Sequence, residues 1–293
     1  MQDEATIIVL FQQVRAIQWD HRFFRGAEKC LSIRGSPSIA KDYRMKTVLI
    51  TGASSGYGRE TALYFHSQGW NVIAAMRTAR AGVLPESDRL RVVELDVTEP
   101  RTITAAFEAA GPIDVLVNNA GVPSIGVFEG TPMARVREVF ETNTFGVMAT
   151  TQAVLPQFRE RGSGVVVNVT SSVVLGHMPL SAVYKASKMA VEGFTASLAL
   201  ELAAFGVQAK TVQPGACLTT NFAANATKGA SLDELVPAPY APWAKKAMGD
   251  FTGQDLFTKE SDVAETVWRA VHDTTGQLRF PAGPDAVSLA QAR

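Results

Sequence analysis

From residue 45 onward, apolar residues come in short, nearly unbroken runs. They are TVLIT (47–51), NVIAAM (71–76), LRVVEL (90–95), IDVLVN (113–118), GVVVNVT (164–170) and VQAKTVQ (207–213). Alanine-rich or amphipathic segments separate them, among them 57–68, 99–109, 132–160 and 181–205. A strand buried on both faces reads as a continuous apolar run, whereas a half-exposed strand alternates. Short apolar runs alternating with helices therefore predict a parallel sheet covered on both sides. With right-handed crossovers it becomes a doubly wound α/β sheet of Rossmann type. A last helix at about 261–273 and a short strand, LRFPAG, close the domain.

Two stretches fall outside this rhythm. After the sixth strand comes CLTTNFAANATKGASLDELVPAPYAPWAKKAMGDFTGQDLFT, with Phe222, Trp243, Phe251 and Phe257. Long excursions in compact domains are usually lids or binding loops, so about 219–258 is expected to be a lid over a site. Residues 1–44 hold one short apolar stretch, TIIVLFQQV, without the basic start or cleavage site of a secretory signal. The text changes at MKTVLITGASSG, so 1–44 is expected to be a poorly ordered or non-native extension. Residues 45–293 are then expected to form one domain with no internal repeat.

Composition narrows the partners. Lys+Arg and Asp+Glu both number 28, which leaves none of the basic excess that a nucleic-acid or anionic-membrane surface needs. No apolar run approaches the roughly 18–20 residues that cross a bilayer. Cys30 and Cys217 lie far apart, and the acidic residues lack metal-ligand spacing. A soluble, cytoplasmic protein without a metal is expected.

Candidate chemistry begins at TGASSGYG (51–58), directly after the first strand and opening the first helix. Gly52, Gly56 and Gly58 allow a tight turn whose amides, with the helix N-terminus, can hold a phosphate. Ser54, Ser55 and Tyr57 belong to the same turn. At the end of the second strand, Met76 stands where an acid gripping the ribose of NAD is expected, and Arg77 follows. A guanidinium binds a 2′-phosphate that a carboxylate would repel, so NADP(H) is favoured over NAD(H). Further on, YKASK puts Tyr184 and Lys188 one helical turn apart, on one face. Taken alone, that pair is ordinary helix text.

The motifs also stand in a telling order: TGASSGYG, LDVT (95–98), NNAG (118–121), ETNTFG (141–146), NVTSS (168–172), YKASK (184–188) and QPGACLTT (213–220). The series resembles the short-chain dehydrogenase/reductase family in its compact single-domain branch, over about residues 45–285. AAMRTAR and FPAGPDA are similar in style to retinol- or steroid-type and carbonyl reductases. The resemblance implies that Asp96 bonds the adenine edge and that Val97 packs beside it. It makes Asn118 a tie between the central strands, while Asn119, Ala120 and Gly121 meet the cofactor. Pro214, Gly215 and Thr219 would lie beside the nicotinamide. Asn143, Ser171, Tyr184 and Lys188 match the four catalytic positions, with Thr170 and Ser172 flanking Ser171 as alternative hydroxyls.

On that pattern the expected activity is hydride transfer between NADP(H) and an apolar ketone, aldehyde or secondary alcohol. Tyr184 is the acid/base, Ser171 the oxyanion donor, and Lys188 a ribose ligand whose charge lowers the phenol pKa. Asn143 would hold a water that leads from Lys188 to solvent. The alternative is a non-catalytic NADP(H)-binding regulator of the same fold. A Ser171–His177 hydrolase pair would leave the dinucleotide motifs without purpose. The family resemblance further implies a homodimer or homotetramer, paired through the helices at 132–160 and 181–205.

Overall fold

A computed structural model of the chain describes residues 45–80, 82–220, 222–226, 232–252 and 255–292. Residues 1–44, set apart above as an extension, lie outside the described residues, and so do Cys30 and the Phe251 side chain. Among the described residues the strands are β1 (Thr47–Thr51), β2 (Asn71–Met76), β3 (Leu90–Glu94), β4 (Val115–Asn118), β5 (Gly164–Val169), β6 (Val207–Pro214) and β7 (Arg279–Ala282). They form one sheet in the order β3-β2-β1-β4-β5-β6-β7, and every neighbouring pair is parallel.

Alternation along each strand builds two cores. Val48 and Ile50 face one layer with Val72, Ala74, Val115, Val117, Val167 and Val169. Leu49, Ile73, Leu116 and Val166 face the other. The first layer is closed by α1 (Gly56–Ser67) and α9 (Glu260–His272), through Phe65, Val263 and Val267. Trp70 and Trp268 meet Phe65 edge to face at 5.2 and 5.1 Å, which packs α9 onto α1. The second layer is closed by α2 (Pro100–Ala110), α4 (Gly146–Arg161) and α5 (Ala182–Ala203), with Ile103, Val154, Phe158 and Leu198 buried there. Each large side chain so buried stabilises the fold by about 1.5–3 kcal/mol relative to exposure.

The helix expected over 132–160 is interrupted. It divides into α3 (Met133–Phe140), a π-helical turn at Glu141–Phe145, and α4. Asn143 sits in that turn, fully buried. Its side chain accepts from Val122 N at 2.8 Å and donates to Val122 O at 2.9 Å and Ser187 Oγ at 3.1 Å. The extra residue in the turn aims the amide at those long-range partners, which local spacing does not reveal.

A second buried polar network ties the sheet to its helices. Asn118 Nδ2 donates to Asn168 Oδ1 and to Thr151 Oγ1, both at 2.9 Å, and Thr150 Oγ1 donates to Asn118 Oδ1 at 2.7 Å. Asn168 Nδ2 continues to Thr195 Oγ1 at 2.8 Å. Beyond β6 the excursion at about 219–258 contains α6 (Phe222–Ala226), α7 (Leu232–Leu235) and α8 (Ala241–Thr252). The chain ends with α10 (Pro284–Gln291) after β7. From β1 the chain winds outward to β3 and then crosses back to β4, so a crevice opens at the carboxyl ends of β1 and β4.

Candidate active site

The crevice is a cleft of about 950 Å³, with the carboxyl ends of β1, β4, β5 and β6 along it. At one rim lies the glycine turn. Gly52 and Gly56 have φ of +67° and +52°, a left-handed backbone that glycine adopts without strain. A Cβ on Gly52 would stand 2.8 Å from Ala120 Cα, so the β1 and β4 turns touch backbone to backbone. Asn119 holds them there, with Nδ2 donating to Thr51 O at 3.0 Å and Gly52 O at 3.2 Å. Thr51 Oγ1 in turn accepts from the Asn119 and Ala120 amides, each at 3.0 Å. Ser54, Ser55, Gly56 and Tyr57 line the cleft beside the N-terminus of α1. Gly58 instead faces inward, where a Cβ would overlap Gly52 O and Asn119 Nδ2. Its missing side chain serves packing.

The far end of the cleft carries Arg77, exposed just past β2, while Met76 is buried. Asp96 and Val97 line the cleft as well. Asp96 Oδ1 accepts from Thr98 N at 2.9 Å and Thr98 Oγ1 at 2.8 Å, which fixes the turn after β3. Val97 is pressed against Gly146, where a Cβ would clash with it.

The hydroxyl groups gather at the middle of the cleft. Tyr184, from the first turn of α5, lines the cleft beside Ser171 and meets Phe222 edge to face at 5.3 Å. Ser171 caps the short turn after β5, accepting from Val173 N at 3.2 Å. Thr170 turns its hydroxyl away to Glu192 Oε1 at 2.7 Å. Lys188 is 4% exposed, with Nζ donating to Val169 O at 2.9 Å and lying 5.9 Å from the Tyr184 ring centroid. A Cβ on Gly121 would lie 3.3 Å from Asn143 Oδ1 and 3.5 Å from Lys188 Nζ, so both groups pack closely against the glycine, just behind the cleft lining.

Electrostatics here differ from the expectation. Burial pushes the Tyr184 phenol up to about 12, against a smaller lowering by its Ser171 bond. Burial likewise pulls Lys188 down to about 8. The expected lowering of the phenol by the ammonium is not found: burial sets the direction of both shifts, and only the Ser171 bond opposes it at Tyr184. Tyr184 rests protonated throughout the neutral range.

The other rim is the loop after β6. Gly215 N donates to Ala282 O at 3.0 Å, and Ala216 N donates to Asp285 Oδ2 at 2.7 Å. Thr219 points its hydroxyl out to Glu260 Oε1 at 2.7 Å, and Thr220 lines the cleft in its place. Apolar side chains, including Val122, Ile125, Val173, Leu218, Phe222 and Met248, continue the wall away from Tyr184. His177 is exposed, on the loop between Ser171 and α5.

Two buried carboxylates support the site and escaped notice in the sequence. Asp285 begins α10 and accepts from Ala216 N and Thr258 Oγ1. Glu192 accepts from Thr170 Oγ1, from Gln213 Nε2 at 3.0 Å and from Arg279 Nε at 3.0 Å. It thus joins the ends of β5, β6 and β7 to α5. Positions 184, 188 and 192 form one stripe at helical spacing, and that signal was available. Among the described residues no cluster of His, Cys, Asp and Glu could hold a metal, and no helix is long and apolar enough to cross a membrane.

Comparison with known proteins adds the following. A family model described as short chain dehydrogenase matches residues 46–230. The chain is 33% identical over 254 residues to an uncharacterized oxidoreductase, YusZ, of Bacillus subtilis (strain 168), covering 81% of this chain and 89% of that protein. It is 39% identical over 186 residues to retinol dehydrogenase 8 of Bos taurus, an alignment that spans 59% of this chain and 60% of that one. Among solved structures, a short-chain dehydrogenase from Streptomyces avermitilis superposes with a TM-score of 0.71 at 32% identity, covering 85% of this chain and 91% of that chain.

Proposed function

The chain belongs to the short-chain dehydrogenase/reductase family of oxidoreductases, and from that premise we propose that it transfers a hydride between NADP(H) and an apolar ketone, aldehyde or secondary alcohol. The observation that carries the proposal is the Tyr184–Ser171 pair beside Lys188, set between a phosphate-binding turn and an apolar wall. The cleft fits a dinucleotide: the left-handed glycine turn lies along it, and the N-terminus of α1 begins there. The amides of the glycine turn would hold the pyrophosphate, and Arg77 a 2′-phosphate. When bound, the dinucleotide supplies or accepts the hydride.

The chain's own groups do the rest. Tyr184, protonated at neutral pH, is in the form that gives a proton to a carbonyl oxygen undergoing reduction. Ser171 donates to that oxygen as negative charge grows on it. Lys188 spends one of its three donors on Val169 O, and the other two would serve ribose hydroxyls beside Gly121. Val173, Leu218, Phe222 and Met248 exclude water and select an apolar substrate. Sequence similarity to a retinol dehydrogenase supports the same substrate class.

Exposed Phe145, Met189 and Leu200, the last 71% exposed, lie along the π-turn and α5 and support a homo-oligomer built through these helices.

The test is fluorescence titration with NADPH and NADH, followed by a screen of ketones, aldehydes and secondary alcohols. Tyr184→Phe is expected to abolish turnover with NADPH binding nearly intact, and near-normal turnover in that variant would refute the assignment. Binding with no hydride transfer to any compound would leave the non-catalytic alternative standing.

A further inference from the structure

Phosphate binding by the glycine turn is backbone work and asks nothing of the side chain between Gly56 and Gly58. The Tyr57 side chain is nevertheless engaged. Its hydroxyl donates to Gly215 O at 3.0 Å, across 158 positions of sequence, from the first turn of α1 to the loop after β6. The accepting peptide is held firmly from its other side: Gly215 N reaches Ala282 O, Ala216 N reaches Asp285, and Thr258 N donates to Ala216 O at 2.8 Å. β7 and α10 thus anchor the loop from behind, and Tyr57 fastens it to the opposite rim. Burial, and then the charges of Cys217, Tyr184, Asp285 and Glu260, push the Tyr57 pKa upward, so the O–H remains a donor at any working pH. An aliphatic side chain could fill the same volume but would leave the carbonyl without this partner.

On the proposed function, a dinucleotide in this cleft would have its phosphates at the rim that carries Tyr57 and its nicotinamide at the rim that carries Gly215. We propose that Tyr57 is a positioning residue for the dinucleotide, its hydrogen bond to Gly215 fixing the separation of the two rims and slowing cofactor release. The inference rests on the dinucleotide-binding reading above. A single neutral hydrogen bond corresponds to about a three- to tenfold change in an equilibrium or rate constant.

Tyr57→Phe keeps the ring and removes the donor. Stopped-flow fluorescence with NADPH should show dissociation about three- to tenfold faster and Kd raised by the same factor, with association unchanged. In the protein without dinucleotide, hydrogen exchange should accelerate at the amides of 216–218 and not across the central strands. Unchanged dissociation and Kd in Tyr57→Phe, with the wild type binding normally, overturns this inference alone. Accelerated exchange throughout the sheet also overturns it, because that marks general loosening. If the wild type binds neither NADPH nor NADH, the proposed function falls and takes this inference with it.

Discussion

Replacing Gly215 with alanine tests how the loop after β6 is held. A Cβ there would overlap the Asp285 carboxylate, both oxygens and the carbon, so the carboxylate must leave its place. In leaving, it surrenders its bonds to Ala216 N and Thr258 Oγ1. Hydrogen bonds to a charged group contribute about 1.5–3 kcal/mol each, so Gly215→Ala, which loses two, should cost about 3–6 kcal/mol. For a chain of this size that lowers Tm by on the order of 10 °C. Asp285→Ala loses the same two bonds and should cost a similar amount. The double variant has room for the new methyl and should cost little more than either single one, so the coupling should nearly equal the cost of one single variant, about 3 kcal/mol or more. Thermal and urea unfolding of the three variants measure the cycle. A Tm change below about 2 °C for Gly215→Ala, or costs that simply add in the double variant, would refute the reasoning.

Two further predictions concern charge. Arg77→Asp should weaken NADPH binding about tenfold to a hundredfold and leave NADH binding unchanged or improved, read by fluorescence titration; equal loss for both dinucleotides would remove Arg77 from the 2′-phosphate. Lys188 binds its proton more weakly folded, near pH 8, than unfolded, near 10.5, so the unfolded chain holds more protons between those values. Stability should therefore rise with pH across that window. Tyr184 acts oppositely, since its folded value near 12 lies above the ordinary 10 and stability falls as pH rises between them. Urea unfolding of the wild type minus Lys188→Met, from pH 7 to 10, should isolate the rising component. A flat difference would show that Lys188 is not desolvated.

The sheet was legible in the sequence because its central strands are buried on both faces and so read as nearly unbroken apolar runs, whereas the edge strand β3 is largely exposed. The helices and the glycine turn were legible because spacing and local backbone geometry are set within a few residues. The Tyr184–Lys188 interval belongs to this class. What the sequence left open depends on partners far along the chain. The π-helical turn exists for Asn143 to reach Val122 and Ser187, 21 and 44 positions away. Gly58 and Thr219 match the family pattern by position, yet the fold turns one inward and the other toward Glu260. Asp285 and Glu192 gain their roles from donors on other strands and loops. Even the sign of the Tyr184 shift followed from burial and not from the neighbouring charge. Periodicity and spacing reside in short stretches of chain, so the sequence determined the layers and the order of the motifs. Desolvation and cross-chain hydrogen bonding sum over everything packed around an atom, and only the tertiary structure could decide those.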